Sequence, residues 1–312
     1  HSLMHQKLHV ALFASLCQVF VYGCMRVFWN QRDSLKYTVA FALLGHLMYF
    51  SAFFLRDVHV TLLYFIACYL VLRARVDAKG LWVIPILTFL CYYLRVESGF
   101  FLGLLWFICV FVRFREKINT GVAIFVVALL MGGLWAGGKF DVVFETERKT
   151  SVNSEGKVVE GSRASSIGKK LYDLPPGIKQ VSIIVFNQIQ PFPLWADIQK
   201  VGIKKHSYLT IPHAIAAIFW FCCWGGVIAG MQSGLINKAP ISLACLMGAS
   251  FLILVLMTSS PDTRRMMCMY LPIYIFAVAS YRSFTKQKRK IVLQISLIVL
   301  VVLHIAYVTI KI

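Results

Sequence analysis

Apolar stretches of span length succeed one another along this chain with short polar joints between them, and that succession leaves few folds open to it. A bilayer-crossing helix needs about 20 apolar residues, and backbone in hydrocarbon must satisfy its own hydrogen bonds, which a helix does internally. Hydropathy places ten such spans, at roughly 8–27, 37–55, 58–73, 80–94, 98–113, 118–137, 209–231, 239–259, 266–281 and 291–310. The expected fold is all-α, a polytopic membrane protein of about ten transmembrane helices with one long outer-face loop. It divides into a six-span part, 1–137, an outer loop, 138–208, and a four-span part, 209–312. Composition agrees: 59% of the 312 residues are hydrophobic and 14% charged, with mean hydropathy +0.73, which excludes an ordinary soluble domain, where charged residues reach about a quarter. The first residue is His1, with no Met before it, so a fragment or processed chain is expected, with any upstream motif out of view. The stretch Leu8 to Tyr22 is too long for a signal peptide, and no small-residue cleavage site follows it.

Lys plus Arg number 32 against 13 Asp plus Glu, a formal charge of +19 that in a soluble protein would point to nucleic acid. Here the loops sort it by side. One alternating set carries Arg26, Arg32 and Lys36, then Arg73, Arg75 and Lys79, then Arg113, Arg115 and Lys117, then Lys238, then Arg282, Lys286, Lys288, Arg289 and Lys290. Basic loops stay cytoplasmic, so these face inward, where anionic headgroups attract them, and no nucleic-acid partner is expected. The other short loops carry Arg56, Arg95, and Arg264 with Arg265, and lie outside with both termini and the 138–208 loop.

The nine cysteines sit almost entirely within spans and none lies in the long outer loop, so no disulfide framework is expected, and Cys222 and Cys223 are read as packing or lipid-facing residues. No CxxC pair, HExxH, Walker-type loop or GxGxxG occurs, which leaves zinc, nucleotide and dinucleotide sites without support. His46, His213 and His304 lie within spans or at a span entry and are read as packed residues.

Each short outer loop pairs an acid with arginine beside a span end: Arg56-Asp57, Arg95-Val96-Glu97, and Asp262-Thr263-Arg264-Arg265. Ionisable groups near hydrocarbon cost a few kcal/mol unless paired or wet, so they mark functional sites by default. One such pair would fit an interfacial salt bridge that merely sets a helix end. Three on one face point to a shared site. Arginine binds phosphate oxygens bidentately and keeps its charge, while a neighbouring carboxylate can take a proton from an acceptor hydroxyl. A phosphate-linked donor and a hydroxyl acceptor mean group transfer, and outside the cytoplasm the donor is expected on a membrane lipid. His59, close to Asp57 in sequence, is a second candidate proton carrier.

Within the long loop, Lys149 to Lys170 is polar and rich in Ser, Gly and Lys, Leu174-Pro-Pro-Gly177 marks a turn, and Ile178 to Gln190 is expected as a helix lying on the interface. Gln190-Pro-Phe-Pro-Leu-Trp195 follows, with Phe192 and Trp195 suited to headgroup depth, and this stretch either covers a lipid-linked substrate or anchors the loop. Lys204, Lys205 and His206, with Lys200, either attract phosphate or form a solvated border to the next span.

The stretch Ser51-Ala-Phe-Phe-Leu-Arg-Asp-Val-His-Val-Thr-Leu-Leu-Tyr-Phe-Ile, with Arg73-Ala-Arg75 after it, resembles membrane glycosyltransferases of the GT-C type. Tyr93-Leu-Arg-Val-Glu-Ser-Gly99, the Pro-Phe-Pro-Leu-Trp run, and Ser260-Pro-Asp-Thr-Arg-Arg265 ahead of Tyr270-Leu-Pro-Ile-Tyr are similar to bacterial polysaccharide-assembly relatives. The likeness implies an outer-face transfer of a sugar or oligosaccharide from a polyprenyl-phosphate donor to a glycan hydroxyl, in the bacterial inner membrane, beside other polysaccharide-assembly proteins. It implies Asp57, Glu97 and Asp262 as acids of the site and Arg56, Arg95, Arg264 and Arg265 as phosphate ligands, with no certain cofactor and a divalent cation left open. The acidic first outer loop of those families is expected upstream of His1. Polysaccharide repeat-unit polymerases of the Wzy type, acting on polyprenyl diphosphates, fit the same arginines. A transporter or flippase of a lipid-linked or anionic solute is the alternative of another class; it calls for midplane charges and an internal repeat, and the sequence has neither.

Overall fold

The computed structural model describes residues 3–43, 47, 56–74, 77–114, 174–175, 178, 182, 185, 188, 194, 210–256 and 267–311. Among them every regular element is helical: α1 (Leu3–Arg26), α2 (Gln31–Leu43), α3 (Asp57–Arg73), a 3₁₀ turn (Ala78–Val83), α4 (Ile84–Leu94), α5 (Val96–Phe114), α6 (Thr210–Gln232), α7 (Leu235–Lys238), α8 (Ile241–Leu256), α9 (Tyr270–Ser283) and α10 (Lys286–Lys311). The expected sixth span and the bulk of the long loop lie outside the described residues.

Three described helices are long and apolar enough to cross a membrane, over Lys7–Arg26, Ile211–Gln232 and Lys286–Thr309, and shorter apolar helices cover Ala78–Leu94, Ser98–Phe114 and Ile241–Phe251. The way α1 distributes its side chains shows why a bilayer suits it. Val10, Cys17, Val21 and Cys24 form a buried stripe, yet Leu8, Leu12, Leu16 and Val19 on another face are equally apolar and exposed. A helix at a water boundary would carry polar residues there. Helix α10 repeats the pattern, burying Ser296, Leu300, His304 and Tyr307 in one stripe while Ile295, Ile298, Val302 and Ile305 point outward.

The core forms around α3, which packs on α1, α4 and α5 and also touches α8 and α9. Eleven of its 17 residues are buried, as expected of a helix with apolar side chains on all sides. Helix α9 is enclosed likewise, with every residue from Tyr270 to Ala277 buried between α6, α8 and α3. Glycine permits the close approach of α6 to α9: a Cβ on Gly226 would lie 2.5 Å from the Tyr281 ring. The nine cysteines are free thiols, seven of them buried.

Long-range polar contacts join three of the basic loops. Arg282 donates to the Asp33 carboxylate at 2.6 Å and to the Tyr37 hydroxyl at 3.1 Å, and Lys288 donates to Ser233 Oγ at 2.6 Å. Asp33 also closes the first turn of α2, whose cap Asn30 accepts from the Asp33 N–H at 2.9 Å. The hydrogen bond from Arg282, aided by the charges of Arg282, Lys36 and Arg32, holds the Asp33 carboxyl below the usual carboxylate range. A depressed carboxyl stabilises the fold above its unfolded value of about 3.9, and that contribution disappears as pH falls through the folded value. Melting of the purified protein in detergent, followed against pH, should therefore show Asp33→Asn and wild type separated at neutral pH and converging below about pH 4. A constant separation down to pH 3 would disprove the linkage.

Candidate functional site

Only one residue, Arg95, separates α4 from α5, and its extended backbone (φ −163°, ψ 112°) turns the chain between two antiparallel helices. A turn this short has two effects. The helices approach until a Cβ on Gly99 would lie 2.5 Å from Tyr92 Cα, so only glycine fits that position. The corner residue is also carried to α3, where Arg95 Nη1 donates to Asp57 Oδ1 at 2.8 Å, with side chains only 4% and 9% exposed. Asp57 opens the first turn of α3, where an acid also suits the helix dipole. Beside the pair, the buried Tyr64 hydroxyl donates to the Ser98 carbonyl at 2.7 Å and ties α3 to α5 a second time. Burial leaves the ion pair little screening, so each charge depends on the other.

The sequence pairs Arg56 with Asp57 and Arg95 with Glu97. The structure joins the two loops by pairing Arg95 with Asp57. Adjacent positions on a helix point in different directions, so Arg56 turns away from Asp57 and donates to the Leu94 carbonyl at 3.3 Å. It stays exposed. His59 lies two positions beyond Asp57, roughly 200° around the helix, and its ring meets Phe13 and His9 of α1 at centroid distances of 4.3 and 5.2 Å. It therefore faces α1, away from the Arg95–Asp57 contact.

The Glu97 side chain and all of Asp262, Arg264, Arg265, Trp195, Lys204, Lys205 and His206 lie outside the described residues. The turn after the Asp262 loop is described, and Cys268 there lies within electrostatic reach of both Arg95 and Asp57. Among the described residues no group of three or more His, Cys, Asp or Glu could hold a metal ion.

Sequence reasoning missed one constellation. Gln188, expected on an interface-lying helix, is buried, and its Oε1 accepts from Trp220 Nε1 at 3.1 Å and Trp224 Nε1 at 3.2 Å. Those indoles lie ten and fourteen residues into α6, which at 1.5 Å per residue is roughly 15–21 Å from its start. Further along, the Leu194 N–H donates to His304 Nε2 of α10 at 3.1 Å. The available signal was a pair of amides, Asn187 and Gln188, at the end of the apolar run Ile-Ile-Val-Phe and two tryptophans four apart in a span. A buried amide needs partners, and indole N–H groups in an apolar helix need acceptors.

Comparison with family models, with curated proteins and with solved structures finds no match for this chain.

Proposed function

We propose that the chain is a polytopic membrane glycosyltransferase of the GT-C type, moving a sugar or oligosaccharide from a polyprenyl-phosphate donor to a hydroxyl on the outer face of a bacterial inner membrane. The observation that carries this reading is the buried Arg95–Asp57 pair, supplied by two loops distant in sequence, beside the turn that follows the Arg264-Arg265 loop. A bond that only fixed helix ends would work as well at a wet surface; a desolvated arginine and carboxylate together suit phosphate and proton chemistry. In the proposed step the acceptor oxygen bonds to the anomeric carbon as the bond from that carbon to the phosphate oxygen breaks. The acceptor's proton passes to Asp57, and the leaving phosphate's negative charge is met by Arg95 with Arg56, Arg264 and Arg265. Asp57 Oδ1 faces Arg95, so Oδ2 is the oxygen assigned to the proton. Glu97 and Asp262 orient the arginines.

The test is a glycan profile of the native host, with the full-length gene deleted and then complemented by wild type or by Arg56→Ala, Asp57→Ala, Arg95→Ala or Arg264→Ala, with membrane insertion checked in each case. Each arginine variant is expected to lower the rate by about 10²–10³. Single lipid-linked repeat units left unextended would define a repeat-unit polymerase, and loss of one sugar from an otherwise complete glycan a single-sugar transferase. An unchanged glycan, with every variant complementing like wild type, would refute the reading.

A further inference from the structure

Helices α1 and α3 run parallel. Phe20 and Gly23 lie against the Tyr69 ring, Phe20 at a ring-centre distance of 6.0 Å, while nearer the start of both helices His9 and Phe13 meet His59. Three rings therefore open the seam: Phe13 is 4.3 Å and His9 5.2 Å from His59, and His9 and Phe13 are 4.7 Å from each other. His9 is exposed and His59 half-buried, so this end of the seam is reached from solution. Packing alone is served by Phe and Tyr, as at Phe20 and Tyr69. Two imidazoles from different helices bring a second property, a ligating nitrogen each.

Their separation decides whether one ion can take both. A zinc–imidazole bond is about 2.0–2.1 Å long and the ring centre lies roughly 1 Å beyond the nitrogen, so two imidazoles on a tetrahedral ion have centres about 5 Å apart. The His9 and His59 centres are 5.2 Å apart, with ring planes at 36°. Rotation about the last side-chain torsion, which is soft, exchanges ring carbons for nitrogens almost without moving the centre. We propose that His9 and His59 together bind a divalent transition-metal ion of the zinc class, which clamps the start of α1 to the first turn of α3, the turn that carries Asp57. Imidazole suits zinc, copper and nickel, whereas calcium and magnesium prefer oxygen. Among the described residues no third ligand converges on the same point, so water completes the shell. The competing arrangement lies within α1, where the exposed His5 sits one turn before His9 and an i, i+4 pair would leave α3 out. The proposal does not rest on the transferase reading, whose acids and arginines it leaves alone.

The full chain, purified in detergent without a polyhistidine tag and stripped with EDTA, is melted with zinc chloride or magnesium chloride. Zinc at a hundredfold excess over its dissociation constant should raise the melting temperature by about 5 °C, and magnesium should not. His9→Ala and His59→Ala should each abolish the rise, and His5→Ala should retain it. Should the His59 variant not fold, the unmutated protein gives a second readout, carbethoxylation by diethyl pyrocarbonate followed by peptide mass spectrometry. Zinc should slow the reaction of His9 and His59 at least about tenfold, since that excess leaves roughly 1% of the sites metal-free, and leave His5 unchanged. No rise with zinc, an equal rise with magnesium, or a rise that survives His59→Ala would overturn the proposal. Loss of the rise in His5→Ala, or protection of His5, would assign the ion to the α1 pair and overturn it likewise.

Discussion

Arg95→Ala should destabilise the protein by about 3–5 kcal/mol, the usual penalty for leaving one member of a buried ion pair uncompensated. Asp57, 7% exposed, would then have to sit charged in an apolar corner, take up a proton, or pull α3 outward. The informative variant is the double one. Replacing the pair together, as Arg95→Met with Asp57→Leu, removes both charges and keeps most of the volume, and should recover most of the lost stability because buried pairs rarely outperform a good apolar packing. Activity should not recover. Thermal melting of the singles and the double in detergent gives the coupling, and the glycan profile of the same variants gives function. Stability and glycan both restored in the double would reduce the pair to a strut and remove the main support for the transferase reading.

The second large effect is expected at Gly99. Alanine there brings a Cβ within 2.5 Å of the Tyr92 backbone, and backbone cannot swing aside as a side chain can. The hinge at Arg95 must open, at a cost in the upper part of the roughly 1–3 kcal/mol range for overpacking, with Arg95 drawn away from Asp57. Gly103, four residues along the same helix, is the control: its Cβ would meet only Thr88 Cγ2 at 3.2 Å, and Gly103→Ala should be nearly neutral. Both melting temperatures are measurable on one preparation. Equal shifts would mean that α4 and α5 are looser at their turn than the single-residue connection requires.

Much of the architecture was legible because hydropathy runs and loop charge are local quantities. The stretches 58–73, 98–113 and 291–310 are helices, α3, α5 and α10, to within a few residues, and the contacts from Arg282 to Asp33 and from Lys288 to Ser233 join loops sorted by charge alone. The site was legible by address, as Asp57 and Arg95 do meet. The neighbour in sequence is not the neighbour in space for Arg56, because a helix start sends Arg56 and Asp57 apart. His59 was misplaced by the same logic, since two residues carry it to the far side of α3. Nothing local announces that Gln188 bonds two indoles in a helix that begins more than twenty residues later, because that contact depends on which elements pack together.

The position of α3 also bears on the order in which the protein matures. This helix is covered early by α1, α4 and α5, but α8 and α9, which complete its enclosure, begin only at residues 241 and 270. At about 5–20 residues per second, roughly 10–30 s of synthesis separate the end of α3 from the start of α8. Through that interval the part of α3 that α8 and α9 cover has no native partner, and Asp33 waits still longer for Arg282. A ribosome that stalls after α5 leaves a partner-seeking half, so the nascent chain depends on a chaperoning surface or on speed, and slow codons between 115 and 240 would lower yield more than the same codons after 290.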